Sequence, residues 1–230
     1  MANFALLPAG GSGARIGGAG PKQYLRLAGR PMLWHAVNAL AGAVDAVFVV
    51  LAPDDERYAR EDWSAFAGRL EPLFCGGETR RDSVYNGLVS AMAAVDADDW
   101  VLVHDAARPC LHRADLGRLI AACTGDAVGG ILAIPAAETV KRAGSDAAGV
   151  PRIEATEDRS RLWLAQTPQM FRAGLLAEAL QRTPGATDEA SAVERMGLKP
   201  RLVPGSRENI KVTFPEDIAI AEAILARQAR

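Results

Sequence analysis

The sequence predicts an α/β protein with a mainly parallel central sheet. Short runs of β-branched and other apolar residues alternate with segments in which apolar residues recur every three or four positions. This alternation of strand and helix signals is typical of parallel sheets covered by helices. Glycine is also clustered, since six of the 22 glycines lie between Gly10 and Gly20, directly after the first apolar run.

Strands are predicted where an apolar run is short and bounded by turn-forming residues. In chain order these runs are Phe4–Leu7, Ala46–Leu51, Leu73–Cys75, Trp100–His104, Gly130–Ile134, Leu162–Ala165, Arg201–Val203 and Asn209–Val212.

Helices are predicted between the strands, where apolar residues form a stripe along one face. A last helix begins near Pro215, where Thr213 and Glu216 also match a capping box. The earlier stripes are Leu33-Val37-Leu40, Val84-Leu88-Met92 and Leu116-Leu119-Ile120.

One stretch, residues 137–161, breaks this alternation. Its two polar halves flank a glycine-bearing loop, which predicts a β-hairpin, and Val140, Val150 and Ile153 are almost its only large apolar side chains. A lone two-stranded ribbon is marginally stable in water. We therefore interpret the stretch as a projecting arm that embraces a second subunit, with a mobile surface excursion as the alternative. The chain is predicted to be a single domain, 1–230, that forms a homodimer through this arm.

The overall charge and apolar content exclude several classes of partner. The chain has 26 Lys and Arg against 28 Asp and Glu, a net charge of −2, so it has no broad attraction for a nucleic acid or an anionic membrane. The longest apolar run, Ala46–Ala52, is far shorter than the roughly 18 residues of a membrane helix. The first residues lack the basic region of a signal peptide, so a cytoplasmic location is expected. The three cysteines form no Cys-x-x-Cys pair, which disfavours a zinc site.

The glycine-rich turn follows the first predicted strand, at the edge of the sheet where α/β proteins bind ligands. Glycines let the backbone wrap closely round a phosphate, with N–H donors pointing inward. A Walker A loop is disfavoured because the chain contains no Gly-Lys pair. A dinucleotide fingerprint is disfavoured because Ile16 stands where a third small residue is needed and no acid closes the second strand. A turn that needs glycine for structural reasons alone stays an alternative.

Two cations, Arg15 and Lys22, accompany this turn. Together they suit a triphosphate, whose charge must be neutralised and whose leaving pyrophosphate gains charge in the transition state.

Six segments together resemble the 2-C-methyl-D-erythritol 4-phosphate cytidylyltransferase family, in order and over nearly the whole chain. They are Pro8–Arg15, Pro21–Leu25, Gly76–Val84, Val103–Pro109, Thr187–Ser191 and Asn209–Thr213. The resemblance implies a Rossmann-like nucleotidyltransferase sandwich. It also implies an enzyme of the non-mevalonate isoprenoid pathway that joins CTP to methylerythritol phosphate and releases pyrophosphate.

The resemblance also assigns roles to residues. Arg15 and Lys22 are expected to stabilise the transition state on the triphosphate, and Arg159 and Lys211 to hold the acceptor phosphate for attack. Nucleotide contacts are implied for Pro8, Ala9, Gly10, Gly11, Ser12, Gly13, Arg15, Lys22, Gly77, Glu78, Arg80, Ser83, Asp105, Ala106 and Arg108. Acceptor contacts are implied for Asp105, Arg108, Thr139, Arg159, Thr167, Thr187 and Lys211.

Several of these residues have a purely structural alternative. Arg159 would otherwise pair with Glu157 or Asp158 at the surface, and Thr187 would cap a helix. Asp105 follows the strand that begins at Trp100, where a carboxylate suits Mg²⁺ bound together with substrate phosphates. The cofactor predicted is therefore Mg²⁺, with Asp105 as its ligand, and a turn-forming Asp is the alternative.

Three other functions stay open from the sequence. A cytidylyltransferase for another polyol phosphate, such as ribitol 5-phosphate, would share the CTP half of the site. A dehydrogenase would use the first turn for NAD. A nucleotide-binding sensor would bind CTP without releasing pyrophosphate.

Overall fold

The structure is a computed structural model that describes residues 1–11, 20–146 and 148–229. Its strands are β1 Asn3–Pro8, β2 Arg26–Leu27, β3 Arg30–Pro31, β4 Ala46–Val50, β5 Leu70–Leu73, β6 Trp100–Val103, β7 Gly129–Pro135, β8 Lys141–Ser145, β9 Pro151–Thr156, β10 Trp163–Arg172 and β11 Arg201–Pro204. Its helices are α1 Met32–Leu40, α2 Arg80–Ala91, α3 Arg113–Thr124, α4 Ala173–Arg182, α5 Glu189–Glu194 and α6 Glu216–Gln228. Within these ranges no helix has both the length and the apolar character needed to cross a membrane.

Seven strands form the central sheet, in the order β11-β7-β10-β6-β1-β4-β5. The pairs β1–β4, β1–β6, β4–β5 and β7–β11 are parallel, whereas β10 runs antiparallel to both β6 and β7. The predicted α/β class with a mainly parallel sheet is confirmed. Because β1, β4, β5 and β6 run the same way, their carboxyl ends meet at one edge, where the loops that follow them converge.

Helices cover both faces of the sheet. Side chains alternate between the faces along each strand, so Val47 and Val49 of β4 pack with α1 and α3 on one side, whereas Phe48 and Val50 pack with α2, α4 and α5 on the other. These two apolar layers give a three-layer sandwich, in agreement with the sandwich that the resemblance implies, and they fix the positions of the strand ends.

Helix α2 lies unusually close to the sheet at Gly87. A Cβ atom at Gly87 would lie 2.2 Å from Cγ2 of Val50 and 3.2 Å from Cδ1 of Leu6. We expect Gly87→Ala to lower the free energy of unfolding by about 1–3 kcal/mol, because the added methyl group overpacks a rigid β-branched neighbour.

The matched control is Gly117→Ala in the interior of α3, where an added Cβ would meet no atom within 4 Å. This change is expected to stabilise the protein by up to about 1 kcal/mol, because alanine favours a helix more than glycine does. Denaturant unfolding of both variants measures the difference. Equal effects at the two sites would contradict the packing argument.

Two predicted strands differ from the structure. The strand predicted at Leu73–Cys75 lies instead at Leu70–Leu73, at the edge of the sheet, where Pro72 is tolerated. The segment Asn209–Val212 forms no strand, since Val212 donates its backbone N–H to the carbonyl of Ala107 in a loop rather than to a sheet ladder. The segment still reaches the carboxyl edge of the sheet, which places Lys211 there.

Two other elements are longer or begin differently than predicted. Strand β10 extends from the predicted Leu162–Ala165 to Arg172 and changes register between Ala165 and Gln169. The proposed capping box of Thr213 and Glu216 is wrong, because α6 begins at Glu216 and the carboxylate of Asp217 accepts the backbone N–H of Thr213 at 2.8 Å.

The stretch 137–161 contains the predicted β-hairpin, formed by β8 and β9. Every residue of β9 is exposed, and Ile153 at its centre is 69 % exposed. Val150, in the turn, is 47 % exposed. An apolar side chain so exposed gains nothing from folding within one chain, so the hairpin lacks a core of its own.

Candidate active site

A cavity of about 600 Å³ lies at the carboxyl edge of the sheet, between the loops that follow β1, β5 and β6. Twelve of the residues predicted for the site line it, namely Pro8, Ala9, Gly10, Gly11, Lys22, Gly77, Glu78, Arg80, Ser83, Asp105, Ala106 and Lys211. Ser12, Gly13 and Arg15 lie outside the described residues. Cations therefore reach this cavity from separate parts of the chain.

The wall next to β1 is held by hydrogen bonds from the flanking segments. Ala9 donates its backbone N–H to the carbonyl of Val50 at 2.7 Å, and Gln23 Nε2 donates to the carbonyl of Ala9 at 2.5 Å. Gln23 is buried and belongs to the 3-10 turn Lys22–Tyr24. These bonds fix Lys22 beside the loop that follows β1.

The wall after β5 is fixed by the beginning of α2. Thr79 caps this helix, accepting the N–H of Asp82 at 3.1 Å, and Ser83 Oγ accepts the N–H of Gly77 at 3.1 Å. A Cβ atom at Gly77 would lie 2.6 Å from Cβ of Asp82, so this close turn requires glycine. The cap brings Arg80 to the cavity as the first residue of α2.

Asp105 is the electrostatic centre of the site. Its side chain is 9 % exposed; Oδ1 lies 2.8 Å from Arg80 Nε, and Oδ2 lies 2.8 Å from Lys211 Nζ and 3.7 Å from Arg108 Nε. Burial would raise the pKa of Asp105, but the charges of Arg80 and Lys211 and their hydrogen bonds hold it well below its ordinary range. Asp105 is therefore ionised, and it draws three cations together.

Arg80 is held on a second side by Glu189, which sequence reasoning did not single out. Arg80 Nη1 and Nη2 lie 2.7 and 3.0 Å from the two carboxylate oxygens of Glu189, whose side chain is fully buried. Burial alone would lower the pKa of Arg80, but Glu189 and Asp105 raise it above its ordinary value. The guanidinium is thus permanently charged.

His104 and Thr167 support Asp105 from beneath the cavity. Thr167 Oγ1 accepts the backbone N–H of Asp105 at 3.0 Å and lies 3.0 Å from His104 Nδ1, while His104 Nε2 lies 3.0 Å from the carbonyl of Arg108. A carbonyl only accepts, so Nε2 carries the proton and Nδ1 accepts the hydroxyl proton of Thr167. Both polar functions of the neutral imidazole are therefore satisfied.

Neutral His104 makes stability depend on pH. Burial lowers the pKa of His104 from 6.5 to about 4. A lowered folded-state pKa means that stability is complete above 6.5 and is lost as the pH falls toward 4, because the unfolded chain binds the proton first. We expect this group to contribute about 3 kcal/mol of that loss.

The measurement is denaturant unfolding at pH 7, 5.5 and 4.5. His104→Gln is expected to be less stable at pH 7 and to show a flatter dependence on pH. The variant of the half-exposed His112, His112→Gln, should retain the contribution of His104. If the free energy of unfolding of His104→Gln depended on pH as steeply as that of the wild type, a group other than His104 would be responsible.

The remaining predicted residues do not line the cavity. Arg108 donates from Nη1 to the carbonyl of Asn209 at 2.6 Å, and burial lowers its pKa. Thr167 is buried below the floor, as described above. Thr139, Arg159 and Thr187 are exposed, the first two on the stretch that carries the hairpin.

The structural alternatives for these exposed residues also differ from the structure. Arg159 donates to the carbonyl of Ala137, whereas Glu157 pairs with Arg142. The cap of α5 is Asp188 rather than Thr187, and it forms a capping box with Ser191.

The donor atoms of the site decide whether side chains alone could hold a magnesium ion. Among the described residues, no group of three or more His, Cys, Asp or Glu side chains is arranged to hold a metal ion. Each oxygen of Asp105 already accepts from a cation, so protein side chains alone do not form a metal site here. Asp105 as a Mg²⁺ ligand stays a prediction.

The cations, the backbone turns and the position of the cavity suit an extended anion with several phosphates. A three-layer sandwich with such a cavity at its carboxyl edge is typical of nucleotide-binding α/β proteins, and cations gathered from separate segments beside backbone turns favour the nucleotidyltransferases among them. Such enzymes bind the nucleotide by backbone turns and stabilise the charge on its phosphates with cations and N–H donors.

Comparison with known proteins identifies the family. The model of the 2-C-methyl-D-erythritol 4-phosphate cytidylyltransferase family matches residues 4–227, and the chain belongs to this family. It is 54 % identical over 226 residues to the enzyme of that name from Dechloromonas aromatica, covering 97 % of both chains. It is also 54 % identical over 226 residues to that of Laribacter hongkongensis, covering 96 % of this chain and 95 % of the relative.

Solved structures agree with this assignment. A crystal structure of 4-diphosphocytidyl-2C-methyl-D-erythritol synthase superposes with a TM-score of 0.84 at 41 % identity, covering 97 % of this chain and 98 % of the other. The 2-C-methyl-D-erythritol 4-phosphate cytidylyltransferase of Thermus thermophilus superposes with a TM-score of 0.78 at 30 % identity, covering 99 % of this chain and all of the other. The predicted family, nucleotidyltransferase class and fold are confirmed.

Proposed function

We propose that this chain transfers a cytidylyl group from CTP to 2-C-methyl-D-erythritol 4-phosphate, giving 4-diphosphocytidyl-2-C-methyl-D-erythritol and pyrophosphate. The observation that carries the proposal is the convergence of Lys22, Arg80 and Lys211 on one cavity beside two glycine-containing turns. Full-length relatives about half identical to this chain bear the name of this activity.

The chemistry is an in-line displacement at phosphorus. An oxygen of the acceptor phosphate forms a bond to the α-phosphorus of CTP, and the bond from that phosphorus to the bridging oxygen breaks as pyrophosphate leaves. The acceptor phosphate is already ionised near neutral pH, so no base is required. The protein must position two anions against their repulsion and stabilise the charge that develops on the leaving group.

The cations of the chain have distinct roles in this proposal. Lys22, together with Arg15, stabilises the triphosphate in the transition state. Lys211 and Arg159 hold the acceptor phosphate in line. The position of Lys211 beside Asp105 supports its part, because the ion pair holds the ammonium group at the cavity wall.

The cytidine lies against the turn after β5. Gly77, Glu78, Arg80 and Ser83 all line the cavity there, and the hydrogen bond from the N–H of Gly77 to Ser83 Oγ holds the turn at the cavity wall. Ala106 also lines the cavity, beside Asp105. Arg108 and Thr167 act through their contacts with Asp105, and Thr139 and Thr187 are assigned to the acceptor side.

Magnesium accompanies the nucleotide in this proposal. Mg²⁺ binds through substrate phosphates together with one or two carboxylates, and Asp105 is the acidic side chain that lines the cavity with Glu78. When bound, the ion supplies neutralising charge to the phosphates.

The chain is proposed to be a single domain, residues 1–230, that acts in the cytoplasm. Two copies are proposed to form a homodimer through the arm, residues 137–161. The exposed apolar side chains of Val150 and Ile153 support a partner for the hairpin. A partner on the arm would place Thr139 and Arg159 at an interface, so that each active site is completed by the other subunit.

Ile153→Lys is expected to shift the dimer toward the monomer, because a charge on the arm opposes burial at the interface. Light scattering coupled to size exclusion measures the mass. Ile220→Lys on α6, where the side chain is 50 % exposed, is the matched control and should leave the dimer intact. A monomeric wild type would overturn the role of the arm.

Pyrophosphate release tests the proposed function directly. The purified chain is assayed with CTP, Mg²⁺ and, in separate reactions, methylerythritol phosphate, ribitol 5-phosphate or no acceptor. Release with methylerythritol phosphate at the highest kcat/KM is expected, and ATP, GTP and UTP in place of CTP should give little. A higher kcat/KM with ribitol 5-phosphate would show that this compound, rather than methylerythritol phosphate, is the acceptor. If the chain binds CTP but releases no pyrophosphate with either acceptor, the result would instead support a nucleotide-binding sensor.

A further inference from the structure

Glu189 is a buried charge that the proposed reaction does not use. It is the first residue of α5 and its side chain is fully buried, although acidic residues are rarely buried unless they are paired. It does not line the cavity. Burying a carboxylate carries a large desolvation penalty, so a buried carboxylate requires an oppositely charged partner that offsets this penalty.

The partner of Glu189 is Arg80, and the pairing is bidentate. The two carboxylate oxygens lie 2.7 and 3.0 Å from Nη1 and Nη2, while Nε of the same guanidinium lies 2.8 Å from Asp105. A bidentate pair of this kind fixes the plane of the guanidinium as well as its position.

The two carboxylates leave part of Arg80 available to a ligand. A guanidinium has five N–H donors, and three of them are used in these bonds. The side chain of Arg80 is 28 % exposed and lines the cavity, so the two remaining N–H groups lie on a guanidinium that cannot rotate away.

Helix α5 is itself anchored. The carboxylate of Asp188 accepts the N–H of Ser191 at 2.9 Å in the capping box, and it accepts a second bond from Gln169 Nε2 of β10 at 2.9 Å. The backbone N–H of Ala190 donates to Gln169 Oε1 at 2.8 Å. Glu189 lies between these two anchored residues, so the carboxylate has a fixed position from which to hold Arg80.

We propose that Glu189 is a positioning residue for nucleotide binding, acting through Arg80. It does not touch the substrate, but it orients the guanidinium that faces the cytidine side of the cavity. The inference rests on the proposed function, because that function gives Arg80 its place at the nucleotide.

Glu189→Gln tests this role while keeping the shape of the side chain. The amide offers one oxygen, and its NH₂ group faces an N–H donor of Arg80, so the fork cannot form. We expect the KM for CTP to rise about ten- to a hundredfold, as for the loss of a hydrogen bond to a charged group. The KM for methylerythritol phosphate should change less than twofold, and kcat less than the KM for CTP.

The matched control is Asp115→Asn. Asp115 is also nearly buried near the start of a helix, α3, and pairs with Arg118 away from the cavity. This variant loses a comparable ion pair and should keep the wild-type KM for CTP, even where its Tm falls as far as that of Glu189→Gln.

A double-mutant cycle with Arg80→Ala separates positioning from general support. If Glu189 acts through Arg80, adding Glu189→Gln to Arg80→Ala should change the KM for CTP by less than threefold. An unchanged KM for CTP in Glu189→Gln, or additive effects in the cycle, would overturn the inference. Failure of the wild type to release pyrophosphate would instead overturn the proposed function, so the two failures are distinguishable.

Discussion

Replacing Lys22 with alanine is expected to lower kcat by about a thousandfold and to leave the fold intact. The side chain lines the cavity from the 3-10 turn Lys22–Tyr24, whose position is fixed by Gln23 and by the bond from Tyr24 N to the carbonyl of Pro21 at 3.1 Å. A positioned charge of this kind stabilises charge that develops in the transition state, and removing one donor commonly costs a factor of about 10²–10³. Single-turnover pyrophosphate release measures the chemical step directly.

Lys199→Ala is the matched control for Lys22. Lys199 is an exposed lysine that does not line the cavity. Its removal changes the net charge equally and should leave kcat unchanged. Near-normal turnover of Lys22→Ala, with an unchanged unfolding midpoint, would falsify the transition-state role of this lysine.

Asp105→Asn is expected to damage both stability and activity. The carboxylate holds Arg80, Lys211 and Arg108, and an amide leaves these cations close together without a counter-charge. Removing one member of a buried ion pair costs about 3–5 kcal/mol, so we expect a loss of that size in the free energy of unfolding. We also expect kcat/KM for both substrates to fall by at least about a hundredfold, because the phosphate-binding cations lose their positions.

The acid dependence of stability checks the same residue. Since the pKa of Asp105 is lowered in the folded protein, its contribution is complete above the ordinary pKa of about 3.9 and is lost as the pH falls through the lower folded-state value. The variant should lack this part of the acid transition.

The control for Asp105 is Asp62→Asn. Asp62 pairs with Arg30 at 3.2 Å at the surface, where its side chain is 59 % exposed. A change below about 1 kcal/mol is expected there. Similar losses in the free energy of unfolding of the two variants would mean that the burial of Asp105 does not determine how much it stabilises the fold.

The strand pattern predicted much of the fold and the position of part of the site. Asp105 and the turn after Pro8 were predicted at the sheet edge because each follows a strongly apolar strand, and parallel strands bring such ends together. The edge strand was displaced in the prediction because Pro72 interrupts its pattern, and the edge position that tolerates this proline is a property of the sheet rather than of the local sequence.

Contacts between distant segments were not predictable in the same way. Arg80 meets Glu189 across 109 residues, and nothing in the local pattern around Glu189 distinguishes a buried ion pair from the acidic first turn of a solvated helix. The motif TDEAS drew attention to this segment, but only through Thr187. Gln23, Met32, Thr79, Ala107 and Thr213 also line the cavity without having been predicted, although four of them lie within the segments that carry the resemblance.

The contacts of Asp105 also change how an anion meets this cavity. Arg80 and Lys211 each have a carboxylate oxygen as partner at 2.8 Å, so the protein carries its own counter-ion for a cation on the nucleotide side and a cation on the acceptor side. A substrate then meets cations whose charge the fixed carboxylate already offsets in part, and it binds through the N–H donors that Asp105 leaves open. A small singly charged anion gains little from cations that are already offset in this way, so the internal carboxylate favours polyanionic ligands over simple anions.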